Sequence, residues 1–272
     1  MGEENQKVTV FWYSQTGNSF ACVERACNVL IKNNYNVTAC SILSPTDESY
    51  QSDLFLFVFP VYAFYVPVPV RDFIDNMPIQ PVNKKALAII TCSGAPANTS
   101  FVAGRLLSEK NIDLVNHLVI RSRTSYIPLA KWFAWVNQKT KPDEKSLARV
   151  ESFIGKNMVG GVRERTLFFN PLSLFHWIGV SGKRNGPKGA LGKRTFIKED
   201  CTNCNFCVVM CPSGAITNVE EIKYNDELCI GCCGCINICP TNAWRISSAG
   251  PEYYNKGINV KKMVAATGRL KE

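Results

Sequence analysis

The chain has 272 residues, of which 46% are hydrophobic and 19% charged, with a formal net charge of +9. That balance excludes a disordered polymer and supports a sizeable core, in one large domain or two modest ones. The strongly apolar, uncharged stretch Leu54 to Val70 carries Pro60, Pro67 and Pro69 and falls short of a bilayer span, so no membrane span is expected.

The N-terminus, Met1 to Lys7, lacks the basic and apolar regions of a secretory signal, and a cytoplasmic protein is expected. Of the 13 cysteines, Cys22, Cys27, Cys40 and Cys92 are scattered, while nine crowd between Cys201 and Cys239. Such crowding in a chain without an export signal points to metal ligation rather than disulfides.

The first half alternates strand and helix. Lys7 to Tyr13 is a β-branched and aromatic run, followed by the polar loop Ser14-Gln15-Thr16-Gly17-Asn18-Ser19. Phe20, Val23, Ala26, Cys27 and Leu30 then recur at helical spacing. Further strands are expected at Val37 to Ile42, Leu54 to Phe59, Ala86 to Thr91 and, more weakly, His117 to Arg121. Helical patterns fall near 70–76, 99–110 and 143–158. Five strands alternating with helices imply a parallel doubly wound α/β sheet.

In such a sheet, chemistry belongs at the carboxyl ends of the strands. The Ser14–Ser19 loop has hydroxyls and backbone N–H groups at the start of a helix, which suits a phosphate. It has no lysine, unlike an NTPase P-loop, and no G-x-G-x-x-G spacing. Ser-x-Thr-Gly-Asn-Ser after a first strand resembles the FMN phosphate loop of flavodoxins, which implies FMN contacts from Ser14, Thr16, Gly17, Asn18 and Ser19. The same resemblance places Pro60, Val61, Tyr62, Ala63 and Phe64 on one side of the flavin ring. Thr91, Cys92, Ser93, Gly94 and Asn98 fall on the other. Tyr62, Phe64 or Tyr65 could supply the stacking face, and Tyr126 is a weaker contact.

Residues 163–194 carry seven basic side chains against one acid, Glu164. A basic segment can attract nucleic acid, lipid or an acidic protein. The reading adopted is a solvated connector, with no nucleic-acid partner and no membrane contact. Its stretch Leu167 to Ile178 is too apolar to run free, and is expected to pack between domains or form part of a partner surface. His117 and His176, the two histidines, stand alone and receive no role.

Cys201, Cys204, Cys207 and Cys211 give C-x2-C-x2-C-x3-C before Pro212, and Cys229, Cys232, Cys235 and Cys239 repeat it before Pro240. This is the bacterial two-cluster ferredoxin pattern. A zinc ribbon also uses C-x2-C pairs, but eight regularly spaced thiols exceed what one tetrahedral zinc needs. The family's crossing pattern implies one [4Fe–4S] cluster on Cys201, Cys204, Cys207 and Cys239, and another on Cys211, Cys229, Cys232 and Cys235. Cys233 reads as a spare thiol. Ala215 to Val219 and Ile222 to Tyr224 resemble that fold's small hairpin.

The chain as a whole resembles a flavodoxin–ferredoxin fusion of anaerobic bacteria and archaea. The implied division is a flavodoxin-like FMN domain at 1–162, the connector at 163–194, a ferredoxin domain at 195–246 and a tail at 247–272. The implied function is electron transfer between two [4Fe–4S] clusters and FMN, as a carrier or adaptor for a larger redox enzyme. The alternative is an FMN-dependent reductase of a small organic acceptor. No acid–base constellation stands out beside the flavin loops, and the partner is expected to be a redox protein.

Overall fold

In the computed structural model, residues 6–132, 142–159, 167, 169 and 191–270 are described. Strands β1 (Lys7–Trp12), β2 (Asn36–Ser41), β3 (Leu54–Pro60), β4 (Lys84–Cys92) and β5 (Ile112–Arg121) form one sheet in the order β2-β1-β3-β4-β5. Every neighbouring pair is parallel. This 2-1-3-4-5 order is that of flavodoxin-like doubly wound folds.

Helices α1 (Asn18–Lys32), α2 (Val68–Asn76) and α3 (Thr99–Ser108) connect and cover the strands, α4 (Ile127–Trp132) packs on the cysteine-rich half, and α5 (Glu144–Ile154) covers the sheet beside α1. Strand alternation divides the apolar side chains between two faces. Val8, Val10, Trp12, Leu54, Leu56, Val58, Leu87 and Ile89 face α1 and α5. Phe11, Tyr13, Phe55, Phe57, Phe59, Ala86, Ala88 and Ile90 face α2 and α3. Phe11 anchors the second face, with ring centroids 5.5 Å from Phe57 and 5.1 Å from Phe73. Each fully buried phenylalanine stabilises the fold by roughly 1.5–3 kcal/mol through transfer from water.

Strand β5 begins at Ile112, well before the expected His117. The polar residues Asn116 and His117 hide its start in the sequence, and the register with β4 shifts between Ala86 and Leu87. Helix α4, also unforeseen, buries Ile127, Pro128 and Ala130.

The cysteine-rich part has β6 (Arg194–Phe196) paired antiparallel with β9 (Trp244–Ile246), and β7 (Ile216–Asn218) with β8 (Ile222–Tyr224), the expected hairpin. Short helices α6 (Phe206–Val209) and α7 (Gly234–Ile238) each carry the third cysteine of a motif. The repeat in sequence is a repeat in backbone. Asn203 and Asn205 have φ of 54° and 58°, and the corresponding Gly231 and Cys233 have 73° and 60°.

The two halves share a core. Val209, Met210 and Ile238 join the same buried cluster as α1 and the sheet, together with Met263 and Val264 of helix α8 (Val260–Ala265). The tail is therefore part of the junction. Glu24 pairs with Lys262, and Arg269 donates to Val209 O at 2.6 Å. Most of the connector at 163–194, His176 included, lies outside the described residues. Within it, Arg194 is not solvated as a linker cation would be, since its side chain is only 5% exposed.

Candidate functional site

The Ser14–Ser19 loop occupies the turn from β1 into α1, and positive φ at Gly17 (86°) makes the corner. Ser14 Oγ accepts from Gly17 N at 3.1 Å, and Asn18 Nδ2 donates to Arg123 O at 3.1 Å. Ser19 Oγ lies 2.8 Å from Thr91 Oγ1. The loop is thereby tied to the ends of β4 and β5. Helix α1 starts with no side-chain cap and no acidic residue in its first turn, so its opening N–H groups suit an anion.

The next two loops stand beside it at the same sheet edge. Val61 N donates to Thr91 O at 2.8 Å, holding the loops after β3 and β4 together. Tyr62 and Tyr65 exchange backbone hydrogen bonds around Ala63 and Phe64, whose φ values are 47° and 63°. Left-handed backbone at two such residues costs on the order of 1–2 kcal/mol each, strain of the kind that collects at ligand sites. A Cβ on Gly94 would lie 3.8 Å from the Phe64 ring. Cys92 Sγ donates to Gly94 O at 3.3 Å, and burial raises its pKa while Arg121 lowers it. Cys92 is thus a buried structural thiol. Asn98 is buried at the start of α3.

The cysteine-rich half sits on this edge. Ile258 N donates to Thr16 O at 2.9 Å, and a Cβ on Gly17 would lie 2.1 Å from Ile258 O. The loop is consequently buried, with Ser14 2% and Thr16 5% exposed. Asn237 Nδ2 donates to Ser125 O at 2.7 Å, and Asn255 Nδ2 to Thr124 O at 3.1 Å.

Cys211, Cys229, Cys232 and Cys235 line one cavity, together with Cys207, Cys233, Gln15 and Arg194. Gln15 Nε2 donates to Met210 O at 3.0 Å, and its Oε1 lies 3.9 Å from Cys232 Sγ. Cys207 in turn lies among Cys204, Cys239 and Cys201, close enough for each to disfavour its ionisation. Burial is the larger cause, and together they push the Cys207 thiol up to about 11. Burial likewise raises Cys232 and Cys235. These thiols hold their protons until a metal displaces them. Among the described residues no three Cys, His, Asp or Glu converge on a single-ion site; the thiols ring a space instead.

Backbone N–H groups already point at sulfur in both copies. Asn203 N donates to Cys201 Sγ and Gly231 N to Cys229 Sγ, each at 3.4 Å, and Ala243 N to Cys239 Sγ at 3.2 Å. Such bonds favour a metal-bound thiolate. Residues 200–252 match the family described as a 4Fe-4S dicluster domain. The chain joins a flavodoxin-like fold to a 4Fe-4S dicluster domain.

No curated protein matches the chain. Among solved structures, an archaeal flavodoxin is similar at 15% identity and TM-score 0.42, covering 54% of this chain and 92% of that one. Flavodoxin 2 from Bacillus cereus is similar at 15% identity and TM-score 0.41, covering 54% and 94%. A flavone reductase is similar at 12% identity and TM-score 0.42, covering 57% and 62%. Likeness of this degree adds nothing to the sheet order, which carries the fold assignment alone. Among the described residues, no helix is long and apolar enough to cross a membrane.

Both groups pass a fit test on the residues present. Six thiols around one cavity, with an N–H donor aimed at the sulfur of Cys229, fit an iron–sulfur cluster. The uncapped start of α1 fits a phosphate, and the strained loop at Ala63 and Phe64 stands beside it at the same sheet edge. Gln15, Arg194, Trp244 and Ile258 are site residues that sequence reasoning missed. Gln15 stood at the variable position of the loop motif, and nothing in the sequence marked the others.

Proposed function

We propose that this chain is an iron–sulfur flavoprotein of electron transfer, carrying two [4Fe–4S] clusters and FMN, and serving as a carrier or adaptor for a larger redox enzyme. The observation that supports it best is Gln15. One side chain of the phosphate-type loop lines the thiol cavity and approaches Cys232, so the two cofactor sites are neighbours. Bound there, the clusters would supply one-electron steps, and FMN one- or two-electron steps.

In this reading Cys201, Cys204, Cys207 and Cys239 hold one cluster, and Cys211, Cys229, Cys232 and Cys235 hold the one beside the loop. Ser14, Thr16, Gly17, Asn18 and Ser19 hold the phosphate. The loops at 60–64 and 91–98 hold the ring, with Phe64 as the stacking face. Tyr62 does not take that role, because its hydroxyl is buried toward Tyr13. In this reading the domains run 1–162 and 195–246, joined by the connector at 163–194, with the tail from 247 sealing the phosphate end.

The test is anaerobic purification with iron, sulfide and flavin quantified on one sample. Two clusters' worth of iron and one FMN per chain is the expected result. Full iron without flavin would leave the flavodoxin-like half as a docking body and remove FMN from the proposal. A loaded protein silent toward small acceptors until a redox partner is added supports the carrier role.

A further inference from the structure

Burying an N–H or O–H without an acceptor costs about 1–3 kcal/mol, so such groups call for an explanation. Four of them stand around the cysteine sites. The hydroxyls of Tyr13 and Tyr62, Nη2 of Arg194 and Nε1 of Trp244 are all buried without a hydrogen-bond partner among the described residues.

Their placement is uneven. Arg194, on β6, has its side chain inside the protein and lines the cavity of Cys207, Cys211, Cys229, Cys232, Cys233 and Cys235, where its strongest thiol interaction is with Cys229. Its Nη1 bonds Asp226 Oδ1 at 2.7 Å, toward solvent, which leaves Nη2 for the inside. Tyr13 directly follows β1, two residues before Gln15, the residue that touches Cys232, and meets Tyr62 edge-on with ring centroids 6.0 Å apart. Cys232 lies near enough to both phenols to oppose their ionisation. Trp244, on β9, is on the Cys207 side instead.

Resting on the reading that these thiols carry clusters, we propose that Arg194, Tyr13 and Tyr62 are positioning residues that hold up the reduction potential of the cluster on Cys211, Cys229, Cys232 and Cys235. Reduction of a cluster adds one electron and one negative charge, with no bond broken. Burial alone opposes that charge and lowers the potential. A buried guanidinium lining the cavity, with two phenol dipoles near Cys232, favours the reduced form and opposes the effect of burial. The cluster beside the loop thereby stays reducible although it lies deep. Trp244 does the same, alone, for the other cluster.

The experiment is a mediated redox titration of the loaded full-length protein, read by electron paramagnetic resonance so that the two midpoints are resolved. Arg194→Gln should shift one cluster's one-electron equilibrium at least tenfold toward the oxidised form, which is about 59 mV. The other midpoint should stay within twofold. Arg194→Lys, which keeps the charge, should restore most of the shift. Tyr13→Phe and Tyr62→Phe should each move the same midpoint a fewfold in the same direction, while Trp244→Phe should move the other one. Equal shifts of both midpoints, or none, would overturn the assignment. If Arg194→Gln fails to load iron, the two tyrosine variants decide, and unchanged midpoints in both overturn it. Failure of the underlying reading looks different: the wild-type protein itself would then lack one or both clusters.

Discussion

Gln15 Oε1 sits 3.9 Å from Cys232 Sγ, and a Cβ on Gly234 would come within 1.8 Å of that same oxygen. The absence of a side chain at Gly234 is thus what allows the loop after β1 to reach the cavity. Gly234→Ala should displace the Gln15 amide from Met210 O and cost about 1–3 kcal/mol by overpacking. Gln15→Ala alone should cost about 1 kcal/mol for the lost hydrogen bond. The double variant should be less destabilised than the sum, because the clash needs both groups. Chemical denaturation of the loaded protein measures the cycle. Strict additivity would mean that Gln15 does not occupy this place.

Gly17 faces a harder obstacle, since its would-be neighbour is the backbone oxygen of Ile258 at 2.1 Å and its φ is 86°. A flexible side chain can move aside, but a backbone held by Ile258 N to Thr16 O cannot do so without releasing the tail. Gly17→Ala should therefore cost about 2 kcal/mol or more, from left-handed strain plus displacement. Limited proteolysis should begin to cut near residues 255–270, where the wild-type chain resists. A variant of unchanged stability and unchanged protease resistance would refute the contact.

How far the sequence could be read depended on how local the cause was. Leu54–Pro60 is apolar at every position because helices cover both faces, so strand and burial followed together. The cysteine spacing is set by the reach of thiolates around a cluster, and it was legible for the same reason. Arg194 was not legible. It read as one cation in a basic connector, and only the pairing of β6 with β9 turns it inward. The tail gave no pattern either, since Asn255 and Ile258 matter through partners far off in the chain, Thr124 and Thr16. Long-range polar contacts leave no periodicity to find.

Cys232 and Cys233 are adjacent thiols with opposite expectations. Cys233 has φ of 60° and corresponds to Asn205, at 58°, in the first motif. Asparagine tolerates that conformation better than most side chains. Cys233→Asn should therefore leave iron content unchanged, although burial of a larger polar group lowers stability somewhat. Cys232→Ser should lose the iron of one cluster. Iron and sulfide analysis of the two purified variants gives the answer. Equal iron loss in both would mean that the ligand assignment around Cys233 is wrong.

Asn237 holds three segments at once. Its Oδ1 accepts from Asn255 N at 2.7 Å, its Nδ2 donates to Ser125 O at 2.7 Å, and its O accepts from Gly257 N at 3.4 Å. At 1% exposure it has no water to replace these partners. Asn237→Asp keeps the shape but sets a carboxylate oxygen against the Ser125 carbonyl, which costs about 2–4 kcal/mol once ionised. Burial and that carbonyl raise the folded-state pKa of the new carboxyl above its unfolded value near 3.9. The folded form then binds more protons than the unfolded form over the interval between the two, so stability falls as pH rises through it. Thermal unfolding at several pH values from about 5.5 to 8 should show the Asn237→Asp deficit growing with pH, while Asn237→Leu shows a constant one. A flat deficit for the aspartate variant would mean that this side chain reaches water, contrary to the sealed junction seen here.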